Sequence, residues 1–541
     1  MAFSNCRGAP THTPFRRRSP ALPPNAGKLL EPPDPTATSA RPPGCRESWW
    51  AHGFCVTSPA LPMKRAPLLL IVLCPVLGLT ACDDNKPKPE ATTSAASAPV
   101  AYPSPAAAET PTPPVEPKGP PEALNVLLIT VDALRNDMPW TGYERQIAPN
   151  LSELAKKGAL YTNHYTLASY TAKSVAGMLS SRYPSTLYRN GVFFTTYSKA
   201  NLFFPELLQE AGVRTLAWHS HMYFGRGKGF DQGFDIWELV PGITFDPQTD
   251  NHVTSPKTTE LAIELLSKPE NTGKQFFAWT HYTDPHDVYV IHEESPDFGK
   301  KNRDRYDSEV FYTDLWIGKL LDWASKQSWW EKTALIISSD HGEAFGEHGM
   351  YRHAFHVWDV LTRVPLIINA PGVKPMRIDE PRSQIDLAPT ILELMGLKAP
   401  DDFTGKSLVK EIYGVEEPRD RQPIILDLPE DTNNPQRRAI IQDDYKLIVY
   451  GKGWTKLLFN LKEDPGEEKD LSKEQPEVLE KMVALYEKTF SELPLVEPYG
   501  GSKLTSGRVA NGPMRPPTPP SRPDASSAKE RGASTSAKSD E

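Results

Sequence analysis

The sequence predicts an α/β fold whose mostly parallel sheet carries helices on both faces, followed by a small C-terminal antiparallel α+β subdomain. Three observations lead to this prediction. Short apolar runs alternate with amphipathic helical patterns from Asn125 onward. Several of these runs end in Asp or His. After about residue 420 the pattern changes to short apolar runs separated by turn residues, which is typical of a small antiparallel sheet.

Four apolar runs predict strands that end in possible metal ligands. Open α/β sheets form their sites outside the carboxyl ends of the strands, where loops direct side chains into one crevice. We therefore expect the polar residues of the four runs to converge. The runs are ALNVLLITVDALR with Asp132, VRTLAWHSH with His219 and His221, KQFFAWTHYTDPH with His281, Asp284 and His286, and KTALIISSDHGE with Asp340 and His341.

Helical periodicity fills the intervals between the strands, and Gly closes several of the helices. In the C-terminal part, three apolar runs predict strands and a last helix is expected to pack on them. The predicted helices are PNLSELAKKG, LFFPELLQEAG, TTELAIELLSK, SEVFYTDLWIGKLLDWASK, IDLAPTILELMG and, at the end, PEVLEKMVALYEKTFSEL, and the C-terminal runs are QPIILDLPE, RRAIIQDDYKLIVYG and TKLLFNLKEDPGE.

Both ends of the chain are rich in Pro, Ala, Ser and Thr, which predicts disorder. The segment MKRAPLLLIVLCPVLGLTACDD has a basic start, a short apolar stretch and a lipobox that ends at Cys82. It resembles a bacterial lipoprotein signal. That resemblance implies cleavage before Cys82, lipidation of its sulfur and anchoring without a membrane span. An ordinary cleaved signal or an internal apolar helix is the alternative.

A signal cannot easily act from residue 63, so we expect translation to begin at Met63. Residues 83–121 form a Pro/Ala-rich tether. The predicted organisation is 1–62 an extension from the gene model or disordered, 63–81 signal peptide, 82–121 linker, 122–415 catalytic domain, 416–496 C-terminal subdomain and 497–541 disordered tail.

Composition excludes several functions. All five cysteines precede residue 83, so the folded part has no disulfide framework and no thiolate metal site. The formal net charge is −8, and Lys and Arg are scattered. Nucleic acid is therefore not an expected partner.

The strand-end residues Asp132, Asp340 and His341 form a set of oxygen and nitrogen ligands that suits a divalent metal. The imidazole favours Zn²⁺ or Mn²⁺, and Ca²⁺ is possible. Thr171 follows the turn-like LAS and precedes AKSVAGMLSS, so we expect it at a helix N-terminus that favours an anion. A metal can activate such a hydroxyl for attack on phosphorus or sulfur, which makes Thr171 a candidate nucleophile and fourth metal ligand.

Three further side chains are weaker candidates for catalysis. Lys173 could neutralise a nonbridging substrate oxygen, whereas His286 and His353 could bind a second metal, the ester oxygens or the leaving group. Each residue also has an ordinary interpretation: Thr171 as a helix cap, Lys173 as a surface charge and His353 as a loop histidine. The convergence of all these residues on strand ends of one domain favours a functional site.

The stretch from about Asn125 to Gly405 resembles the sulfatase-like branch of the alkaline phosphatase superfamily, and the predicted fold is accordingly alkaline phosphatase-like. YKLIVYGKGWTKLLFNLKEDPGEEKDLS looks like the C-terminal subdomain of that family. The resemblance rests on NVLLITVDALRND, APNLSELAKKGALYTNHYTLAS, SSRYPS, GFDQGFD, HYTDPH, SSDHGEAFGEHG, RVPLIINAPG and IDLAPTILELMG, in family order.

The nucleophile motif departs from the sulfatase pattern Cys/Ser-x-Pro-x-Arg, because Thr171 stands in its first position. Threonine cannot give the formylglycine of sulfatases, since oxidation of a secondary alcohol yields a ketone. The stretch TAKSVAGMLS instead is similar to the nucleophile region of phosphoethanolamine transferases, which use an unmodified threonine. Those enzymes also have a His-x4-His pair and a later histidine, as His281, His286 and His353 are here. However, Asp132 replaces their Glu, and their multi-span membrane domain is lacking.

These observations predict a metal-dependent hydrolase or transferase that cleaves sulfate or phosphate esters through a covalent intermediate on Thr171. Its expected substrate is a sulfated or phosphorylated small molecule, glycan or lipid headgroup. Its expected location is the bacterial cell envelope, periplasmic or at the cell surface, with a lipid anchor on Cys82. The alternative is a catalytically inactive module of the same fold that binds anionic envelope glycans.

Overall fold

The computed structural model describes residues 119–120, 122–243, 253–415, 422–451 and 455–499. The predictions for 1–62, the signal peptide, the lipidation of Cys82, and almost all of the linker and tail lie outside these residues. In the described ranges, no helix is both long enough and apolar enough to cross a membrane.

A nine-stranded mixed sheet forms the centre of the described chain. Its spatial order is β10-β2-β9-β6-β1-β5-β3-β4, and β11 pairs with β2. The remaining two strands of this part, β7 and β8, form a separate antiparallel pair. The bounds are β1 Asn125–Val131, β2 Ala159–Tyr165, β3 Arg214–His219, β4 Ile236–Leu239, β5 Phe276–Tyr282, β6 Thr333–Ser339, β7 Ala344–Phe345, β8 Tyr351–Arg352, β9 Arg363–Asn369, β10 Met376–Ile378 and β11 Arg382–Ser383.

The sheet is mostly parallel, as predicted. Strands β6, β1, β5, β3 and β4 lie side by side and run in one direction. Strand β9 is the exception, because it pairs antiparallel with both β2 and β6. All seven residues of β1 are buried, as expected for a central strand covered on both faces.

Helices cover the two faces of the sheet and create two apolar layers. Val126 and Leu128 of β1 pack in one layer, and Leu127 and Ile129 pack in the other, because successive strand side chains alternate. The first layer includes α2, α3 and α8, and the second includes α1, α4 and α6. The bounds are α1 Pro149–Ala155, α2 Thr171–Ser180, α3 Phe204–Glu210, α4 Ser255–Leu266, α5 Pro269–Thr272, α6 Asn302–Ala324, α7 Asp359–Thr362, α8 Leu387–Leu394, α9 Val409–Ile412 and α10 Pro476–Ser491.

The C-terminal subdomain is an antiparallel meander of four strands with α10 packed on it. Its shared apolar layer includes Ile440, Leu447, Leu458 and Tyr486. The predicted fold class is therefore confirmed, both in the main sheet and in this subdomain. The exact domain boundaries stay predictions. The strands are β12 Ile424–Leu428, β13 Arg437–Gln442, β14 Tyr445–Tyr450 and β15 Thr455–Asn460.

A buried ion pair joins the C-terminal subdomain to α2. Lys173 of α2 pairs through Nζ with Asp431, which lies in the loop between β12 and β13, and the two side chains are 1% and 2% exposed. The other carboxylate oxygen of Asp431 accepts the N–H groups of Asn433 and Asn434 at 2.8 and 2.9 Å. The loop is thus held in the conformation that presents a carboxylate to α2.

The buried pair generates a prediction about stability. We expect Lys173→Met to lower the free energy of unfolding by about 3–5 kcal/mol, because the Asp431 carboxylate loses its cation while it stays buried. The double variant Lys173→Met/Asp431→Asn is expected to recover part of this loss, since its amide carries no charge. Urea denaturation of the single and double variants measures the coupling.

Lys156→Met is the matched control, because Lys156 pairs with Glu153 at the surface, where the two side chains are 69% and 63% exposed. We expect this substitution to change stability little. The proposed coupling would be contradicted if the free energy of unfolding lost in the double variant equalled the sum of the losses in the two single variants.

Candidate functional site

Four neighbouring strands bring polar side chains to one edge of the main sheet. Val131, the last residue of β1, is in register with Tyr282 of β5 and Ser339 of β6. The residues that follow β1 and β6 therefore lie at the same level, and the parallel register of β3 and β5 adds further residues beside them. Each of the four predicted sets contributes at least one residue to this group: Asp132 after β1, Asp340 and His341 after β6, His281 within β5, and His221 after β3.

Asp132 lies at the centre of this group and is fully buried. Its Oδ2 lies 3.3 Å from Nε2 of His281 and 3.5 Å from Nε2 of His221. Its Oδ1 lies 3.4 Å from Nε2 of His341. Three imidazoles therefore surround one carboxylate.

Asp340 faces Asp132 from β6 and is equally buried. Its Oδ1 accepts the backbone N–H of Ala133 at 3.3 Å and that of His341 at 3.0 Å. Its Oδ2 lies 3.4 Å from Nε2 of His341. The backbone thus fixes one oxygen and leaves the other directed into the site.

The arrangement fits a metal ion. Asp132, Asp340 and His341 each offer a ligand atom, and these atoms lie within 4.8 Å of one another. Among the described residues, no hydrogen-bond donor reaches Oδ1 of Asp132 or Oδ2 of Asp340, although both atoms are buried. His341 Nδ1 lies 3.0 Å from the carbonyl oxygen of Gly342, so the ring donates from Nδ1 and Nε2 carries the lone pair. Buried carboxylate oxygens without donors next to an imidazole lone pair are the donor set that a cation would satisfy.

The two carboxyl groups have opposite pKa shifts. Burial favours the neutral acid of Asp132, but interactions with the imidazoles of His286, His281, His341 and His221 outweigh burial and hold the pKa of Asp132 well below its usual value. Burial and the charge of Asp132 raise the pKa of Asp340. Burial also lowers the pKa of His341, which keeps its imidazole neutral and able to act as a ligand.

Thr171 is the first residue of α2, as predicted, and is 2% exposed. Its Oγ1 lies 3.0 Å from Nε2 of His341, so the hydroxyl can donate to the lone pair of that ring. The first turn of a helix presents N–H groups without helical acceptors, which favours an anion beside Thr171. The hydroxyl, the ligand set and the helix N-terminus therefore meet at one point.

Lys173 lies two residues further along α2, and its ammonium is directed to Asp431. Burial lowers its pKa, against the opposing effect of Asp431. The interpretation of Lys173 as a solvated surface charge is wrong, since the side chain is 1% exposed. A contact between Lys173 and a substrate oxygen stays a prediction.

His286 and His353 lie next to each other on the outer side of His341. The ring centroids of His286 and His353 are 4.9 Å apart, and His353 stacks on His341 at 4.2 Å. Nδ1 of His353 lies 3.2 Å from both carboxylate oxygens of Glu343, which is fully buried. The roles of His286 and His353 in catalysis stay predictions.

The sequence prediction missed Glu343 and Asp431. Glu343 follows the Asp-His pair by two residues, and this spacing could have indicated a partner for a second imidazole. Asp431 had no local signal, because its partner Lys173 is 258 residues away. Asp284, in contrast, is not directed at the metal ligands: its carboxylate accepts the N–H groups of Thr254 and Ser255 at 2.6 and 2.9 Å, where α4 begins.

A cavity of about 490 Å³ lies at the opposite edge of the sheet, between α1, α6 and the start of β6. It is lined by Asn150, Gly318, Trp330 and Thr333, among others, and contains none of the site residues described above. The cavity is therefore separate from the candidate site at the carboxyl edge.

The chain matches two family models. The model described as Sulfatase covers residues 124–397, which is 274 of the 541 residues. The model described as N-sulphoglucosamine sulphohydrolase, C-terminal, covers residues 346–492. The matched regions include the metal-ligand set, Thr171 and the C-terminal sheet.

Individual relatives agree with this result. An ulvan-active sulfatase from Formosa agariphila is 25% identical over 360 residues, covering 58% of this chain and 70% of the relative. A choline-sulfatase from Rhizobium meliloti is 24% identical over 422 residues, covering 63% and 81%. Among solved structures, a phosphonate monoester hydrolase from Silicibacter pomeroyi has the same fold, with a TM-score of 0.55, 20% identity and coverage of 68% and 94%. This chain belongs to the sulfatase family and is a sulfatase-like ester hydrolase with an alkaline phosphatase-like fold.

Proposed function

We propose that this protein is a metal-dependent hydrolase of sulfate or phosphate esters that forms a covalent intermediate on Thr171, and that phosphorus esters are its better substrates. The observation that carries the proposal is the position of Thr171 Oγ1. It lies 3.0 Å from Nε2 of His341, at the start of α2 and beside two buried carboxylates. A hydroxyl at this point can attack an ester anion held by the helix N-terminus.

A divalent cation would be held by Asp132, Asp340, His341 and Thr171. Bound there, it would lower the pKa of the Thr171 hydroxyl and offset the charge of the ester oxygens. The imidazole in the set favours Zn²⁺ or Mn²⁺, and Ca²⁺ is the other candidate.

The reaction needs two displacements. In the first, Thr171 Oγ1 loses its proton to solvent and forms a bond to phosphorus or sulfur, the bond to the leaving-group oxygen breaks, and that oxygen takes a proton from His286 or His353. In the second, a water oxygen attacks the same atom and gives a proton to the imidazole that lost one, the bond to Oγ1 breaks, and Oγ1 takes up a proton from solvent. The contact between His353 and Glu343 orients the imidazole for the first step.

Phosphorus is favoured because threonine has a single hydroxyl. The formylglycine of typical sulfatases forms a hydrate whose second hydroxyl can expel sulfate, and Thr171 cannot do this. Release from Thr171 therefore requires attack by water on the central atom. The stretch TAKSVAGMLS resembles the nucleophile region of phosphoethanolamine transferases, which use an unmodified threonine on phosphorus esters. The similarity of the fold to that of a phosphonate monoester hydrolase is consistent with this preference.

We also propose an envelope location. The lipoprotein-like signal and Cys82 support a lipid-anchored enzyme in the periplasm or at the cell surface, acting on a sulfated or phosphorylated small molecule, glycan or lipid headgroup. The named activities of the relatives on choline sulfate and ulvan are consistent with small-molecule and glycan substrates.

The role of Thr171 is tested with Thr171→Ala on nitrophenyl phosphate, a phosphodiester, a phosphonate ester and nitrophenyl sulfate. We expect phosphorus esters to be hydrolysed by the wild type and kcat to fall at least about 10³-fold in the variant, because the nucleophile is removed. After acid quenching, mass spectrometry is expected to find a phosphoryl group on Thr171.

Ser180→Ala is the matched control, since it removes a hydroxyl from the other end of α2, where Ser180 bonds to the carbonyl oxygen of Ala176. It is expected to keep full activity. Undiminished turnover by Thr171→Ala would show that another group is the nucleophile, and release of sulfate alone would contradict the proposed preference for phosphorus esters.

The metal site is tested by its affinity. We expect the protein to bind one Zn²⁺ or Mn²⁺ per chain after dialysis, and Asp340→Asn to weaken this binding at least about 10- to 100-fold, because a charged ligand is lost. Metal analysis after equilibrium dialysis measures both. Asp297→Asn, an exposed carboxylate outside the site, is the control. A protein that binds anionic glycans but no metal would instead favour the inactive binding module.

A further inference from the structure

The rings next to Thr171 form a continuous chain of contacts. Tyr170, which precedes Thr171, stacks on Phe193 with centroids 4.5 Å apart. Phe193 contacts Phe194 edge to face at 5.1 Å, and Phe194 stacks on Tyr223 at 4.2 Å. We call these four residues the aromatic arc. They come from three separate segments, so tertiary structure has assembled them.

Histidines continue the chain and close it. In the order Tyr223, His221, His286, His353 and His341, successive ring centroids lie 5.0, 6.3, 4.9 and 4.2 Å apart. His341 then returns to Thr171 through the 3.0 Å contact of its Nε2. The closed chain places the aromatic arc and the histidines around the same reaction centre.

The aromatic arc and the histidines form two halves of this closed chain of rings, and the two halves differ in chemistry. The histidine half can exchange protons and contact an ester anion. Phe193 and Phe194 of the aromatic half carry no hydrogen-bonding groups in their side chains, and both are partly exposed. Phe355 extends this half outward, because it lies parallel to Phe193 at 6.0 Å and is 44% exposed. An apolar substrate group is favoured against these rings, since the side chains of Phe193, Phe194 and Phe355 offer no hydrogen-bond partner to a hydroxyl group.

The charge of Lys173 also affects which substrate groups the arc can bind. The Lys173 ammonium lies 4.7 Å from the centroid of the Tyr170 ring and 5.7 Å from that of Phe193. The ring electrons of the arc therefore already interact with one cation. A second cationic group would therefore gain less from ring faces that already hold the Lys173 ammonium than a neutral aromatic ring, whose contact with the arc does not depend on charge.

The C-terminal subdomain fixes the segments that carry these rings. The N–H of Phe193 donates to Thr432 Oγ1 at 3.1 Å, and the N–H of Thr432 donates to the carbonyl oxygen of Gly191 at 3.1 Å. Asn434 Nδ2 donates to the carbonyl oxygen of Ala354, next to Phe355, at 3.2 Å. One loop thus positions both Phe193 and Phe355, which reduces the entropy cost of binding a ligand between them.

We propose that the aromatic arc and Phe355 bind the leaving group of the ester, and that this group is an uncharged aromatic ring. The inference rests on the proposed function for the position of the ester at Thr171. The histidine half receives the anion, and the bond to be broken lies at the boundary between the two halves.

The test is a comparison of phenylphosphonate with methylphosphonate by calorimetry on the metal-loaded protein. Neither compound has a leaving group, so binding is measured without turnover. We expect phenylphosphonate to bind at least about 10-fold more tightly, and Phe355→Ala to weaken its binding about 3- to 10-fold while methylphosphonate binding is unchanged. Phe355→Leu, which keeps an apolar side chain but removes the ring, is expected to show a similar loss and guards against misfolding of the alanine variant.

Tyr351→Ala is the matched control, because Tyr351 lies four residues away and is 64% exposed but does not belong to the arc. Equal affinity for the two phosphonates, or an equal loss in Tyr351→Ala, overturns the proposal. Tighter binding of glucose 6-phosphate or phosphocholine than of phenylphosphonate also overturns it. If the phenyl preference holds while Thr171→Ala keeps its activity, only the proposed nucleophile is wrong.

Discussion

Two carboxylates, Asp132 and Asp340, lie buried side by side, and the site depends on holding them there. The parallel pairing of β1 and β6 makes their proximity unavoidable, because each residue directly follows its strand at the same level of the sheet. Two negative charges in a poorly solvated interior repel each other, which is reflected in the raised pKa of Asp340, where burial adds to the effect of Asp132. Within the described ranges neither Asp132 Oδ1 nor Asp340 Oδ2 has a hydrogen-bond partner, so this buried pair of carboxylates could bind a cation.

The positions of the imidazoles also support a cation site beside Asp132 and Asp340. His221 and His281 contact Oδ2 of Asp132, on the side away from its Oδ1 contact with His341. Nδ1 of His281 in turn lies 2.8 Å from Thr130 Oγ1, which accepts the indole N–H of Trp279 at 2.9 Å. These contacts orient the carboxylate through one oxygen, so the other can serve as a ligand.

The C-terminal subdomain completes the site although it supplies none of the proposed metal ligands. Its loop between β12 and β13 holds α2 through Asp431 and holds the segments around Phe193 and Phe355 through Thr432 and Asn434. Helix α2, which carries Thr171, and the segments that carry the aromatic rings are therefore held by the same loop. This arrangement explains why Lys173 is buried against Asp431. The position of Lys173 two residues after Thr171 had instead suggested a contact with a substrate oxygen.

Local sequence patterns predicted the fold well because strands and helices have different periods and because parallel strands end at one edge. Asp132, Asp340 and His341 were predictable for that reason, as was the start of α2 at Thr171. The antiparallel direction of β9 was not predictable, because the residue pattern of an apolar run does not indicate in which direction its strand runs in the sheet. Asp284 resembled a ligand because it follows a strand, but its role as the cap of α4 depends on a segment 30 residues away. The ion pair of Lys173 and the contacts of the aromatic arc depend on tertiary structure in the same way.

The fold does not by itself decide between sulfate and phosphate chemistry. A chain that belongs to the sulfatase family also has the fold of a phosphonate monoester hydrolase at 20% identity, so the scaffold is common to both reactions. Asp132, Asp340 and His341 would hold a cation against either ester, because both present anionic oxygens of similar geometry. In the proposed mechanism the nucleophile decides between the two reactions, because it determines how the covalent intermediate would be released. With a single hydroxyl at residue 171, that release would require attack on the central atom, and the proposed preference for phosphorus esters depends on this requirement.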